Sequence, residues 1–125
     1  MNLIIDRGNT LYKTAVFDCS DLKAVEAFKE LSVSDLEKIF SKQRISKTIL
    51  CSVGGRFKND LVQYLNANTG CYSMDDDLTL PMSLSYKTPD TLGKDRIASV
   101  VGALSCAKGR SVIVIDAGSC LCVDY

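Results

Sequence analysis

The chain contains no histidine and no Cys-x-x-Cys spacing. The usual zinc-ligand patterns are therefore missing, although cysteines stand at positions 19, 51, 71, 106, 120 and 122. Cys120 and Cys122 alternate on an expected strand and so share one face. In a reducing compartment they are expected to be two small buried hydrophobes, not a redox pair or half a metal site. Net charge is missing as well: 15 Lys and Arg balance 15 Asp and Glu, with no block of either sign. That balance argues against a polybasic nucleic-acid surface and against an anionic-membrane binder, and leaves room for a local anion site. No apolar run approaches the roughly 18 residues of a membrane span, and no basic region precedes a long apolar stretch at the start MNLIID. Low-complexity segments and obvious linkers are also absent. The expectation is a soluble, cytoplasmic protein with neither a nucleic-acid nor a membrane partner.

What is present is enough apolar material, 46% of 125 residues, to bury one respectable core. Residues 3–6 and 11–17 flank Gly8-Asn9 and read as a hairpin, with a third strand at 24–28. Ser34 is expected to cap a helix running to 42, with Leu36, Ile39 and Phe40 on one face. Residues 48–53 read as a buried strand, carrying Ile49, Leu50 and Val53 and ended by Gly54-Gly55. Residues 57–65 place Leu61, Tyr64 and Leu65 at helical spacing, and a polar loop follows at Asp75-Asp76-Asp77. A third helix is expected over 92–106, with Ile97, Val101 and Leu104, capped by Asp90 and Thr91. Residues 111–115 and 120–125 then read as two strands paired across Gly118-Ser119. The class is α/β with a mixed sheet: three meander strands, then alternating helices and strands. The last hairpin opens a second meander that nothing completes. The expected organisation is one domain over 1–110 and the start of a related one over 111–125, the first half of a longer protein; the alternative is a single domain whose last hairpin closes the sheet.

Two turns repeat each other. MNLIIDRGNT and SVIVIDAGSC each run from an apolar strand into Asp, one residue, Gly and a small polar residue. Nearly the whole chain lies between Asp6 and Asp116. Glycine lets a backbone approach a ligand closely, and the successive amides of Gly8, Asn9 and Thr10 can point at one anion. A carboxylate beside a polyphosphate needs a cation between them, so Asp6 reads as a ligand, through water, for nucleotide-borne Mg²⁺. Taken singly, each Asp-x-Gly is an ordinary hairpin; as a pair they favour a two-jawed phosphate clamp with Gly118 and Ser119 in the second jaw. This duplication resembles the actin-like ATPase (ribonuclease H-like) fold of actin and the sugar kinases.

The middle of the chain narrows the resemblance. DRGNT at 6–10, TLGKDR at 91–96 and DAGS at 116–119 occur in the order found in the type III pantothenate kinases, a bacterial branch of that superfamily. The chain resembles their first half. The resemblance implies transfer of phosphate from ATP-Mg to pantothenate, giving 4'-phosphopantothenate in the first step of coenzyme A biosynthesis. It further implies a homodimeric complete protein that requires a monovalent cation, K⁺ or NH₄⁺. A phosphate clamp with one wall cannot exclude water or hold adenine, so the fragment is expected to be inactive alone. By the same resemblance, Asp6, Asn9 and Thr10 belong to the first phosphate turn. Tyr86, Gly93, Asp95 and Arg96 meet pantothenate, with Asp95 as the base, and Asp116 helps hold the monovalent cation. Two positions depart from the family pattern: Ser119 stands where Thr is usual, and Cys120-Leu121-Cys122 replaces an Ala-Thr-Thr type of run. From the residues alone, Asp95-Arg96 also reads as helix-start electrostatics. The alternative functions are a non-catalytic relative serving as a binding or transcriptional accessory protein, and another actin-like sugar kinase.

Overall fold

The computed structural model describes residues 1–53, 55–75, 78–118 and 120–125. The chain divides into two compact units, Met1–Asp76 and Asp77–Tyr125.

In the first unit β1 (Asn2–Arg7) and β2 (Tyr12–Asp18) form the expected antiparallel hairpin, and β3 (Asp21–Phe28) continues the meander. At the β2–β3 tip Cys19 takes φ 53°. Two further strands, β4 (Lys47–Ser52) and β5 (Gly70–Ser73), lie parallel to β1 and to each other, giving the order β3-β2-β1-β4-β5. Parallel neighbours need a crossover. Helices α1 (Val33–Lys42) and α2 (Asn59–Asn68) supply it. Leu3 and Ile5 of β1, Val16 of β2 and Leu50 of β4 join one buried cluster with Leu36 and Ile39 of α1 and Leu61 and Leu65 of α2. Each such side chain contributes about 1.5–3 kcal/mol through burial, so this core fixes the register that sets where β1 ends.

Several expectations need correction here. The α1 cap is Ser32, not Ser34: Ser32 Oγ accepts from the Asp35 amide, and the Asp35 carboxylate accepts from the Ser32 amide. Ser34 has Glu37 at the same spacing, but it is Ser32 and Asp35 that close the reciprocal box. Helix α2 starts at Asn59, because Phe57 instead turns edge-on to Tyr12, with ring centroids 6.1 Å apart. Strand β5 was not anticipated. Gly54, Asp76 and Asp77, parts of the expected break and acidic loop, lie outside the described residues. Among the described residues no helix is long and apolar enough to cross a membrane.

The second unit holds a 3₁₀ turn (Pro89–Thr91), α3 (Lys94–Ala107) and the antiparallel pair β6 (Val114–Ala117) and β7 (Leu121–Asp124). The expected cap from Asp90 and Thr91 does not form. Thr91 donates its amide and hydroxyl to the Thr88 carbonyl, closing the 3₁₀ turn, and Leu92 then runs extended, so Gly93 becomes the N-cap. Ile97 is buried while α3 packs against both strands. The last hairpin pairs Val114 with Asp124 and Asp116 with Cys122. Cys120 is exposed and Cys122 half-buried, so the expectation of two buried thiols fails. Helix α3 packs against this two-stranded ribbon, and the Cys120 position precedes β7 on the turn.

Candidate active site

Strand β1 ends where the first signature begins. Asp6 is its penultimate residue, opposite Lys13 of β2 and Cys51 of β4, with Oδ1 shut off from solvent. The turn closes when the Gly8 amide donates to the Leu11 carbonyl at 3.0 Å. A Cβ on Gly8 would stand 3.4 Å from that same carbonyl, in van der Waals contact. With the Gly8 amide spent inside the turn, an anion would meet Asn9, Thr10 and side chains. A cavity of about 160 Å³ opens here, lined by Arg7, Gly8, Asn9 and Thr10 and, just past β3, by Lys29 and Glu30.

Arg7, Lys29 and Glu30 were not singled out by the sequence. Arg7 lies over the Tyr12 ring, 5.6 Å from its centroid, and donates to the Arg56 carbonyl. Glu30 pairs with Lys58 at 2.8 Å. Lys58, by hydrogen bond and charge, and then Arg7 hold the Glu30 carboxyl below its ordinary value. This end of the sheet therefore offers a cavity with the cations Arg7 and Lys29 in its wall beside a polar turn of small residues, a setting suited to phosphate oxygens.

The second unit gathers the other signatures. Gly93 caps α3, and Asp95 and Arg96 occupy its first turn, where the helix dipole favours an anion. Asp95 Oδ1 accepts from the Arg96 amide at 2.9 Å. Arg96 lies over the Tyr86 ring, 5.5 Å from its centroid, and pairs with Asp124 of β7 at 2.5 Å. Asp124 first, then Tyr86, raises the Arg96 pKa, so the guanidinium stays charged. Asp124 carried no local signal in the sequence. Asp116 lies within β6, exposed, with Oδ1 3.8 Å from where a Gly118 Cβ would be. The Gly118 amide donates to the Cys120 carbonyl, making a tight turn. Ser119 lies outside the described residues. Thus Gly8, Asn9 and Thr10 line one cavity of the first unit while Asp6, two residues before Gly8, does not line it, and the second unit brings Tyr86, Gly93, Asp95 and Arg96 together.

Both groupings lie within the stretch that a known family's profile matches. The profile of the type III pantothenate kinase family matches residues 2–125. The chain belongs to that family. A type III pantothenate kinase of Christiangramia forsetii is 41% identical over 126 residues, covering 99% of this chain and 51% of that protein. The Bacteroides fragilis type III pantothenate kinase is 36% identical over 125 residues, covering 100% and 51%. That of Flavobacterium psychrophilum is 32% identical, covering 100% and 52%. The chain spans about half the length of the curated relatives it matches. Membership gives the three signatures a shared context: a turn after β1, the start of α3 and the turn after β6.

Proposed function

We propose that the complete protein is an ATP-dependent pantothenate kinase built on the actin-like fold, with residues 1–110 as the first domain and 111–125 opening the second. The reading includes a cytoplasmic homodimer activated by K⁺ or NH₄⁺. The observation that carries it is the family match over residues 2–125 with TLGKDR intact at the start of α3. In this scheme Asn9 and Thr10 are phosphate-binding residues of the first turn, and Gly118 and Ser119 are phosphate-binding residues of the second. Gly8 and Gly118 keep those backbones free of obstructing side chains.

The carboxylates offer hard oxygen donors, which fit Mg²⁺ and K⁺. Among the described residues no three His, Cys, Asp or Glu side chains converge as a cage. Mg²⁺ held mainly by phosphates and water, with Asp6 reached through one water, needs no such cage. Bound there, the metal supplies charge neutralisation on the transferring phosphoryl group. Asp116 would stand beside the monovalent cation.

Asp95 orients the primary hydroxyl of pantothenate and takes its proton as that oxygen bonds to the terminal phosphorus of ATP and the bond from phosphorus to the departing ADP oxygen breaks. Its short side chain is held by the Arg96 amide, so little reorganisation accompanies that step. Arg96 meets the pantothenate carboxylate through its planar fork. The test is ADP release by the complete protein with pantothenate or a panel of sugars and polyols, with and without potassium. Potassium-stimulated release with pantothenate alone is expected. Silence with pantothenate, or a preferred sugar, overturns the reading.

A further inference from the structure

Arg96 and Asp124 are distant in sequence yet joined edge to edge. Arg96 Nε lies 3.0 Å from Asp124 Oδ2, and Nη2 lies 2.5 Å from Oδ1. Their side chains keep only 24% and 20% of their exposure. The Tyr86 ring meets the flat face of the same guanidinium. Arg96 is thus fixed on one edge by a carboxylate and on one face by a ring.

A guanidinium carries five N–H donors in a rigid fork. Asp124 takes two of them along the Nε side. The terminal edge, formed by Nη1 and the second hydrogen of Nη2, is the part a further carboxylate can engage bidentately. A shielded ion pair contributes little net stability once desolvation is counted. What it does supply is orientation of a long side chain that otherwise samples many rotamers.

We propose that Asp124 is a positioning residue for the phosphoryl acceptor: its grip on the Nε edge of Arg96 sets the terminal edge as a fixed docking point for the acceptor's carboxylate. This rests on the pantothenate kinase reading and adds to it a residue outside all three signatures. Asp124 acts through Arg96. Neutralising it frees the guanidinium to rotate, and the acceptor then loses a preorganised partner while the nucleotide loses nothing.

The experiment is steady-state kinetics of the complete protein, parent against Asp124→Asn and Asp124→Glu, with melting temperatures alongside. Parent turnover is read first; if pantothenate is not phosphorylated, the assigned reaction and its acceptor fall together. With an active parent, Asp124→Asn is expected to raise the pantothenate KM by about tenfold or more. The ATP KM should stay within about twofold, and Asp124→Glu should recover part of the loss. A parental pantothenate KM in Asp124→Asn overturns the positioning role alone. So does a lowered melting temperature with both KM values unchanged or raised together, since that marks a strut between α3 and β7. Should Asp124→Asn fail to fold, Asp124→Glu decides: a rise confined to the pantothenate KM supports the role, and a parental value overturns it.

Discussion

Gly93 sits directly beneath the carboxylate of Asp95: a Cβ on Gly93 would fall 2.5 Å from Asp95 Oδ1. The backbone there, at φ −56°, is open to any residue, so only the carboxylate objects. Oδ1 is also the oxygen that accepts the Arg96 amide. Gly93→Ala must therefore swing Asp95 off its amide. In the complete protein kcat is expected to fall by about 10-fold to 100-fold, the scale of an ångström-sized misplacement. Added to Asp95→Asn, the same change should cost little more, because both act on one group. Full additivity in that double variant would separate Gly93 from Asp95.

Asp95→Asn keeps size and removes charge. A positioned general base is worth about 10² to 10⁴ in rate, roughly 3 to 5 kcal/mol of barrier. We expect kcat to drop by that factor, pantothenate to bind within about tenfold and nucleotide binding to hold. Turnover within a few-fold of the parent would leave Asp95 as a helix-start charge.

Asp116→Asn is expected to abolish activation by potassium and to raise the ATP KM, since a counter-charge beside the phosphates is lost. Initial rates across a potassium series check this directly. An unchanged potassium dependence removes Asp116 from the cation site.

The α1 capping box makes a prediction about stability. Ser32→Ala should cost about 1 kcal/mol, read as a lower urea midpoint of the chain. Ser32 first, then Lys38, holds the Asp35 carboxyl below its ordinary value. A depressed carboxyl stabilises the fold above its unfolded value, and that contribution disappears as pH falls through the lower folded value. The Ser32→Ala penalty should accordingly hold above the ordinary Asp value of 3.8 and shrink as pH falls below it. A penalty that stays constant below that value would show that Asp35 takes no part in the cap.

The hairpin, the mixed sheet and the two helices α1 and α2 were legible because local chemistry determines them: Gly8-Asn9 at a turn, and Leu61 and Leu65 at helical spacing. The α1 cap lies two residues before the expected Ser34 because two box spacings overlap, Ser32 with Asp35 and Ser34 with Glu37, and local pattern alone does not choose between them. Strand β5 has only four residues, GCYS, with no apolar alternation, and the helix before it ends at the adjoining Thr69. Its pairing is dictated by the neighbouring β4. The signature residues announced themselves through spacing. Lys29 and Asp124 could not, since each reaches its site only through tertiary contact.

The β2–β3 tip has a use of its own. Cys19 holds a left-handed backbone, φ 53°, that costs a side chain about 1–2 kcal/mol, and its thiol is exposed. Glycine adopts that conformation freely but gives up some chain entropy, so Cys19→Gly should return about 0.5–1 kcal/mol net. The tip belongs to neither signature grouping. It is thus a handle for hardening the scaffold against heat and air oxidation while leaving the phosphate turn as it stands, and a melting temperature a few degrees higher, with one fewer thiol open to alkylation, is the outcome to look for.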